Sequence, residues 1–212
     1  TQKLFIIFYV LFFLFKFMRS IISGTNRPNS ISKDISLYYS QLLEANGVAA
    51  QIIDLTELPD DFTSSALYGK KNSQFEALRD KMNDSDKYIF VIPEYNNSFP
   101  GVLKAFIDGL SYPNAVAHKK CALVGISDGV QGNAVGLSHI IDVFNYLGMH
   151  VLAQRIKRPF MKKNWVENEI QDAFIANLID EQIDIFLFFF YSFSSDNKMD
   201  DFRLRVFIAV AK

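Results

Sequence analysis

The chain is 212 residues long, 50% hydrophobic and 21% charged, with a formal charge of −1 from 22 basic and 23 acidic residues. That length favours one domain with a core that needs no metal or disulfide staple, and the composition excludes global disorder and a nucleic-acid binder with a basic face. The single cysteine, Cys121, excludes an intramolecular disulfide framework and a Cys-rich metal site, and His118, His139 and His150 show no metal-ligand spacing, so no metal is expected.

Eleven of the 21 phenylalanines fall within residues 1–18 and 185–193. The first stretch is apolar from Leu4 to Phe15 and then meets Lys16. A membrane span needs roughly 20 mainly apolar residues, and this run approaches that only by counting Lys16, Arg19 and Ser20. Lys3 followed by an apolar run also suits a secretory signal, but no A-x-A-like cleavage site follows. Residues 18–184 are therefore expected to form the working domain, with 1–17 an apolar extension and 185–212 a Phe-rich tail. Both ends read as extraneous translated sequence, the alternatives being a genuine anchor or amphipathic extension, or part of the core.

From Met18 onward, β-rich apolar runs alternate with helical periodicities. Strands are predicted over residues 19–23, 49–54, 87–93, 121–127 and 150–154. Helices are predicted over 31–45, 73–82, 101–110, 133–147 and 166–184, each with an apolar stripe, for example Val135, Leu137, Ile140, Ile141, Phe144 and Leu147. Five strand–helix units with continuous apolar strands imply an α/β fold: a parallel sheet covered on both faces. Ligands of such sheets bind beyond the carboxyl ends of the strands, which draws attention to three loops.

The first is Ser23-Gly24-Thr25-Asn26-Arg27-Pro28-Asn29-Ser30. Its hydroxyls, the amino terminus of the following helix and the planar Arg27 cation suit a phosphate, while the bland alternative is a polar turn with Ser30 as an ordinary helix cap. The pattern is neither G-x-G-x-x-G nor a Walker P-loop. The second loop runs from Pro93 to Gly101 through Glu94, Tyr95, Asn96, Asn97 and Ser98. An aromatic wall, two amides and open backbone N–H groups suit a flat heteroaromatic ligand, and alone the segment would pass for a helix-capping turn. The third, around Ser127, Gly129 and Gly132, allows backbone close to a flat ring and alone reads as a flexible glycine turn.

Together, S-G-T-N-R-P-N-S at 23–30, P-E-Y-N-N-S-F-P-G-V-L-K at 93–104 and G-I-S-D-G-V-Q-G at 125–132 resemble the NAD(P)H-dependent FMN reductase family over about residues 18–158. The resemblance implies a flavodoxin-like three-layer sandwich with a five-stranded parallel sheet and non-covalently held FMN. By position it implies that Ser23, Thr25, Arg27 and Ser30 hold the 5′-phosphate. Pro93, Glu94, Tyr95 and Asn96 would lie along the isoalloxazine ring, and Ser127, Gly129 and Gly132 would border its other side. It further implies a cytoplasmic homodimer or homotetramer that takes hydride from NADPH or NADH and reduces a flavin, quinone, azo compound or similar acceptor. The flavin carries the chemistry, so no catalytic side chain is expected. The two Phe-rich ends have no counterpart in the family's pattern.

A flavodoxin-type electron carrier without its own substrate site is the alternative, opposed by Arg27 and the near-neutral charge. A membrane-tethered interaction protein rests only on the amino-terminal run, and neither a membrane nor a nucleic acid is an expected partner. Of the remaining residues, His118 reads as a surface turn, His139 as packed or solvated, Cys121 as a small core hydrophobe and Trp165 as packing. Arg155, Lys157, Arg158, Lys162 and Lys163 read as a solvated basic face, or else as an attractor of a phosphorylated nicotinamide cofactor.

Overall fold

Strand β3, Ser85–Pro93, carries eight buried residues of nine, and its side chains divide by parity. Tyr88, Phe90 and Ile92 join one hydrophobic cluster; Ile89 and Val91 join the other. A strand apolar on both faces needs helices on both sides, and fully burying each such side chain contributes about 1.5–3 kcal/mol. The computed structural model, which describes residues 18–111 and 115–189, shows that arrangement. Expectations about residues 1–17 and 190–212 lie outside the described residues.

Four more parallel strands complete the main sheet: β1 (Met18–Ser23), β2 (Gln51–Asp54), β4 (Lys120–Ile126) and β5 (His150–Arg158). Their order is β2-β1-β3-β4-β5. Helices α1 (Ile31–Ala45) and α7 (Ala173–Phe188) cover one face through Ile35, Tyr39, Leu43, Ile179, Ile183 and Phe186. Helices α3 (Ser73–Asn83), α4 (Gly101–Asp108) and α5 (Ala134–Tyr146) cover the other, packing Phe75, Leu103, Phe106, Ile140 and Phe144. The fold is the flavodoxin-like α/β sandwich expected from the sequence. Two short helices, α2 (Phe62–Ser65) and α6 (Met161–Asn164), are too brief to show a helical period.

Two elements differ from the sequence reading. Strand β5 runs four residues beyond Gln154, and Ile156 and Arg158 are buried on its inner face. The basic group is therefore not one solvated face: Arg158 is 2% exposed, with its guanidinium 5.3 Å from the centre of the Trp165 ring. Burial pushes the Arg158 pKa down. The other difference is the last helix, which starts at Ala173, because residues 165–170 form a hairpin of β6 (Trp165–Val166) and β7 (Glu169–Ile170). Glu167 and Asn168 take positive φ to make its two-residue turn, and Asp172 caps the helix by accepting from Phe174 N and Ile175 N.

The helix also continues past Asp184 to Phe188, with Phe186 fully buried. The Lys87 ammonium donates to the carbonyls of Phe186 and Leu187 at 2.9 and 3.0 Å, so a cation meets the negative end of the helix. Lys87 stands in register between Arg19 on β1 and Lys120 on β4, all three buried. Burial, reinforced by the two neighbouring cations and opposed by Asp86, lowers the Lys87 pKa to about 7. An unfolded lysine holds its proton to about pH 10.4. Between those values the unfolded chain binds more protons, so this residue makes stability rise with pH from about 7 toward 10 and adds no slope below. Urea midpoints at pH 7.5 and 9.5 check this: Lys87→Met is expected to lose the rise that the native chain shows.

Candidate functional site

In the strand order, the chain steps outward from β1 to β2 and then returns past β1 to β3. The loops after β1 and β3 diverge there, leaving a crevice at the carboxyl edge of the sheet. The first loop is drawn tightly against β3. Gly24 N donates to Val91 O at 2.9 Å, and a Cβ on Gly24 would stand 2.8 Å from that same oxygen. Only glycine permits that approach.

Within this loop, Ser23, Thr25 and Ser30 are buried and Arg27 is exposed. Ser30 caps α1, its Oγ accepting from Lys33 N at 3.4 Å, which leaves its hydroxyl hydrogen to donate elsewhere. The amides of Ile31 and Ser32 open the helix and have no intrahelical partner. Ser23 Oγ is buried without a hydrogen-bond partner among the described residues. An orphaned hydroxyl, a helix amino terminus and an exposed cation at the rim fit an anionic phosphate.

Thr25 joins the first loop to the second. Its Oγ1 lies 2.8 Å from the Tyr95 hydroxyl and accepts from Arg27 N at 3.2 Å. The second loop is a tight turn in which Tyr95 and Ser98 exchange backbone hydrogen bonds of 2.8 and 3.1 Å. Asn96 and Asn97 supply its two positive φ values, a conformation asparagine tolerates. Among the described residues, the turn exchange leaves the backbone amides of Asn96 and Asn97 without a partner. Tyr95 is 38% exposed, so its ring is available as a wall.

Glu94 faces the third loop. Its backbone N donates to Ile126 O, and its carboxylate accepts from Asn133 N at 3.1 Å. The Asn133 amide donates to Ile92 O and Pro93 O at 3.0 and 3.1 Å. Ser127 is also committed locally: its hydroxyl donates to Gly129 O at 3.0 Å and accepts from Gly132 N at 3.1 Å. The Asp128 carboxylate accepts from Lys162 N at 3.1 Å and pairs with Lys162 Nζ at 2.9 Å. Those bonds, with a smaller contribution from Arg27, hold the Asp128 pKa below the usual carboxylate range.

A profile of NADPH-dependent FMN reductases matches residues 20–157. The chain belongs to that family. It is thereby a flavin-dependent oxidoreductase, with FMN as cofactor and a nicotinamide as reductant. It is 29% identical over 143 residues to a 2-hydroxy-1,4-benzoquinone reductase of a Burkholderia species, covering 64% of this chain and 74% of that one. Across the curated quinone reductases it matches, the aligned part spans between 55% and 79% of their length. Among solved structures, it superposes on an NADH:FMN oxidoreductase with a TM-score of 0.71 at 21% identity, covering 84% of this chain and 92% of that one. The flavoenzyme NAD(P)H:(acceptor) oxidoreductase FerB of Paracoccus denitrificans gives 0.66 at 22% identity, covering 81% and 95%.

The structure thus brings all three sequence-predicted loops to one edge of the sheet. It also shows roles that the sequence reading did not assign. Asn133 is fully buried at φ +63°, and Gly136 packs so closely that a Cβ would meet Ser98 and Phe99 backbone at 2.7 Å. His139 is hydrogen-bonded through Nδ1 to Ser98 Oγ at 2.9 Å, which ties α5 to the second loop. An asparagine directly after Gly132 and before a helix was the available signal for Asn133.

The glycines of the third loop offer an internal comparison. Gly132 has φ +56°, and its Cβ would stand 2.5 Å from Arg158 N; Gly129 has nothing nearer than 3.9 Å. Gly132→Ala is expected to destabilise the protein by about 1 kcal/mol or more and to weaken FMN binding. Gly129→Ala is expected to leave stability nearly unchanged. Urea denaturation and flavin-fluorescence titration of both variants check the contrast.

Proposed function

We propose that this FMN-dependent NAD(P)H oxidoreductase delivers the electrons it receives to a quinone or azo acceptor, with the three loops dividing the work of holding the cofactor. The observation that carries the reading is the convergence of the first and second loops at the switch point, tied by Thr25 and Tyr95. In this assignment Ser23, Thr25, Ser30 and the first amides of α1 cradle the FMN phosphate, and Arg27 closes over it. Pro93, Glu94, Tyr95 and Asn96 form the surface along the ring, and Ser127, Gly129 and Gly132 border the opposite side. FMN bound there would supply the redox chemistry between nicotinamide and acceptor.

The protein's own part is orientation and electrostatics. The unused amides of the Asn96–Asn97 turn offer fixed dipoles to a carbonyl edge without reorganisation. Glu94 and Ser127 act indirectly, since their polar atoms are spent on Asn133, Gly129 and Gly132. They hold the loops at a fixed separation, and no side chain need act as nucleophile or general acid.

We place the protein in the cytoplasm as a homodimer or homotetramer. A nicotinamide substrate and a lone buried thiol suit a reducing compartment. A groove of about 590 Å³ between the ends of α4 and α5, with Tyr68 and Tyr146 exposed at its rim, supports a subunit contact there. Among the described residues no helix is long and apolar enough to cross a membrane.

The test is an anaerobic visible spectrum of the full chain loaded with FMN, before and after NADPH. Bound-flavin bands that bleach are expected; bands that NADPH leaves untouched would favour an electron carrier instead. Arg27→Ala is expected to raise the FMN dissociation constant about tenfold or more, the loss of one charge-assisted contact, measured by fluorescence titration.

A further inference from the structure

Phe160 sits where the chain leaves β5 for α6, with φ +52°. A bulky L side chain is strained in that region, which glycine or asparagine enters more cheaply. Core packing does not compensate: Phe160 belongs to neither hydrophobic cluster of the described residues and is 46% exposed. The fold would be better served by another residue, so the ring calls for a different explanation.

Its position supplies one. Phe160 N donates to Gly129 O at 3.2 Å, and Met161 N donates to Ser127 O at 3.1 Å. Lys163 N and Asn164 N both donate to Phe160 O at 2.9 Å. The residue is therefore fastened to the third loop through its own N–H and that of Met161, while its carbonyl starts α6. Val130, 70% exposed, lies on that loop. Cations surround the spot. Lys162 and Lys163 follow in sequence and are exposed, and Lys157 is exposed at the end of β5. Lys162 is held to the loop by Asp128, and Arg27 from the first loop is near enough to act on the same carboxylate.

An exposed aromatic side chain with exposed lysines on either side of it in the chain suits a planar base that carries phosphates. A quinone offers the planar ring but no anion for the lysines; a nicotinamide dinucleotide offers a purine and a diphosphate together. We propose that Phe160 is a specificity residue for the reductant, its ring stacking on the adenine while Lys162 and Lys163 attract the phosphates. This rests on reading the site as one that oxidises NAD(P)H. The backbone strain at Phe160 is then kept for binding.

The test uses the full FMN-loaded chain and two variants, Phe160→Gly and Phe160→Tyr. In Phe160→Gly, the melting temperature is expected to rise by a few degrees as the strain is relieved. The dissociation constant for NADP⁺, measured by calorimetry, and the KM for NADPH are both expected to rise about tenfold. The KM for reduced nicotinamide mononucleotide, which lacks the adenosine half, and that for benzoquinone are expected to stay within twofold. Phe160→Tyr, which keeps the ring, is expected to restore NADP⁺ affinity. Unchanged NADP⁺ affinity in Phe160→Gly would overturn the inference, as would an equal rise in KM for the mononucleotide. A native chain that binds no FMN and oxidises no NADPH would overturn the reading of the site and this inference together. An active native chain with an unaffected glycine variant would overturn the inference alone.

Discussion

Asn133 gives all three of its N–H donors to the carboxyl end of β3. Its side-chain amide reaches Ile92 O and Pro93 O, and its backbone N reaches the Glu94 carboxylate. Each neutral bond contributes about 1 kcal/mol net and the bond to the carboxylate about 1.5–3. Against this stands the left-handed backbone at Asn133, roughly 1–2 kcal/mol for an ordinary residue and less for asparagine. The bonds win, and the result is a rivet between the strand that feeds the second loop and the helix that follows the third. Gly136, one turn on, lets α5 come close enough for the rivet to reach.

The same economy governs the first loop. Gly24 presses it against β3, and the Thr25–Tyr95 hydrogen bond joins it to the second loop. Three loops that follow strands far apart in sequence thus become one rim. The opposite edge of the sheet is built differently. There the buried cations Arg19, Lys87 and Lys120 lie side by side across three strands, and the end of α7 provides carbonyls for Lys87. Desolvation is the dominant cost at that edge, which is why Lys87 holds its proton weakly. A tunable stability thus resides at the end of the sheet away from the ligand.

Strands β1, β3 and β4 were legible because each is dominated by a continuous apolar run, and helices α1, α3, α4 and α5 because their stripes repeat every three to four residues. The end of β5 was not legible. Arg155, Lys157 and Arg158 look like a solvated face, and nothing local shows that Arg158 turns inward beneath Trp165. The hairpin at residues 165–170 was hidden because Glu167 takes a conformation that glutamate rarely signals, while Ile170 imitates the first member of a helical stripe. In the site, the residue types and loop positions could be read, but the pairings could not. Glu94 to Asn133 spans 39 residues and Thr25 to Tyr95 spans 70. Contacts at such separations are created by strand order, which no local pattern carries.

Those pairings change what the loop side chains can do. A hydroxyl or carboxylate engaged with its neighbours has little capacity left for a ligand. Ser127 donates and accepts within its own loop, Glu94 accepts from Asn133 N, and Thr25 bridges two loops. What remains for a bound ring is mainly backbone: the Asn96–Asn97 amides and the glycine turn. What remains for a phosphate is the unpartnered Ser23 hydroxyl, Arg27, the Ser30 hydroxyl hydrogen and the start of α1. Backbone donors cannot be removed by changing a side chain, and they cost nothing to organise once the loops are tied. In the proposed assignment, substitutions at Glu94, Ser127 or Asn133 would therefore act on cofactor affinity by shifting the distance between loops, whereas substitution at Arg27 would remove a contact outright.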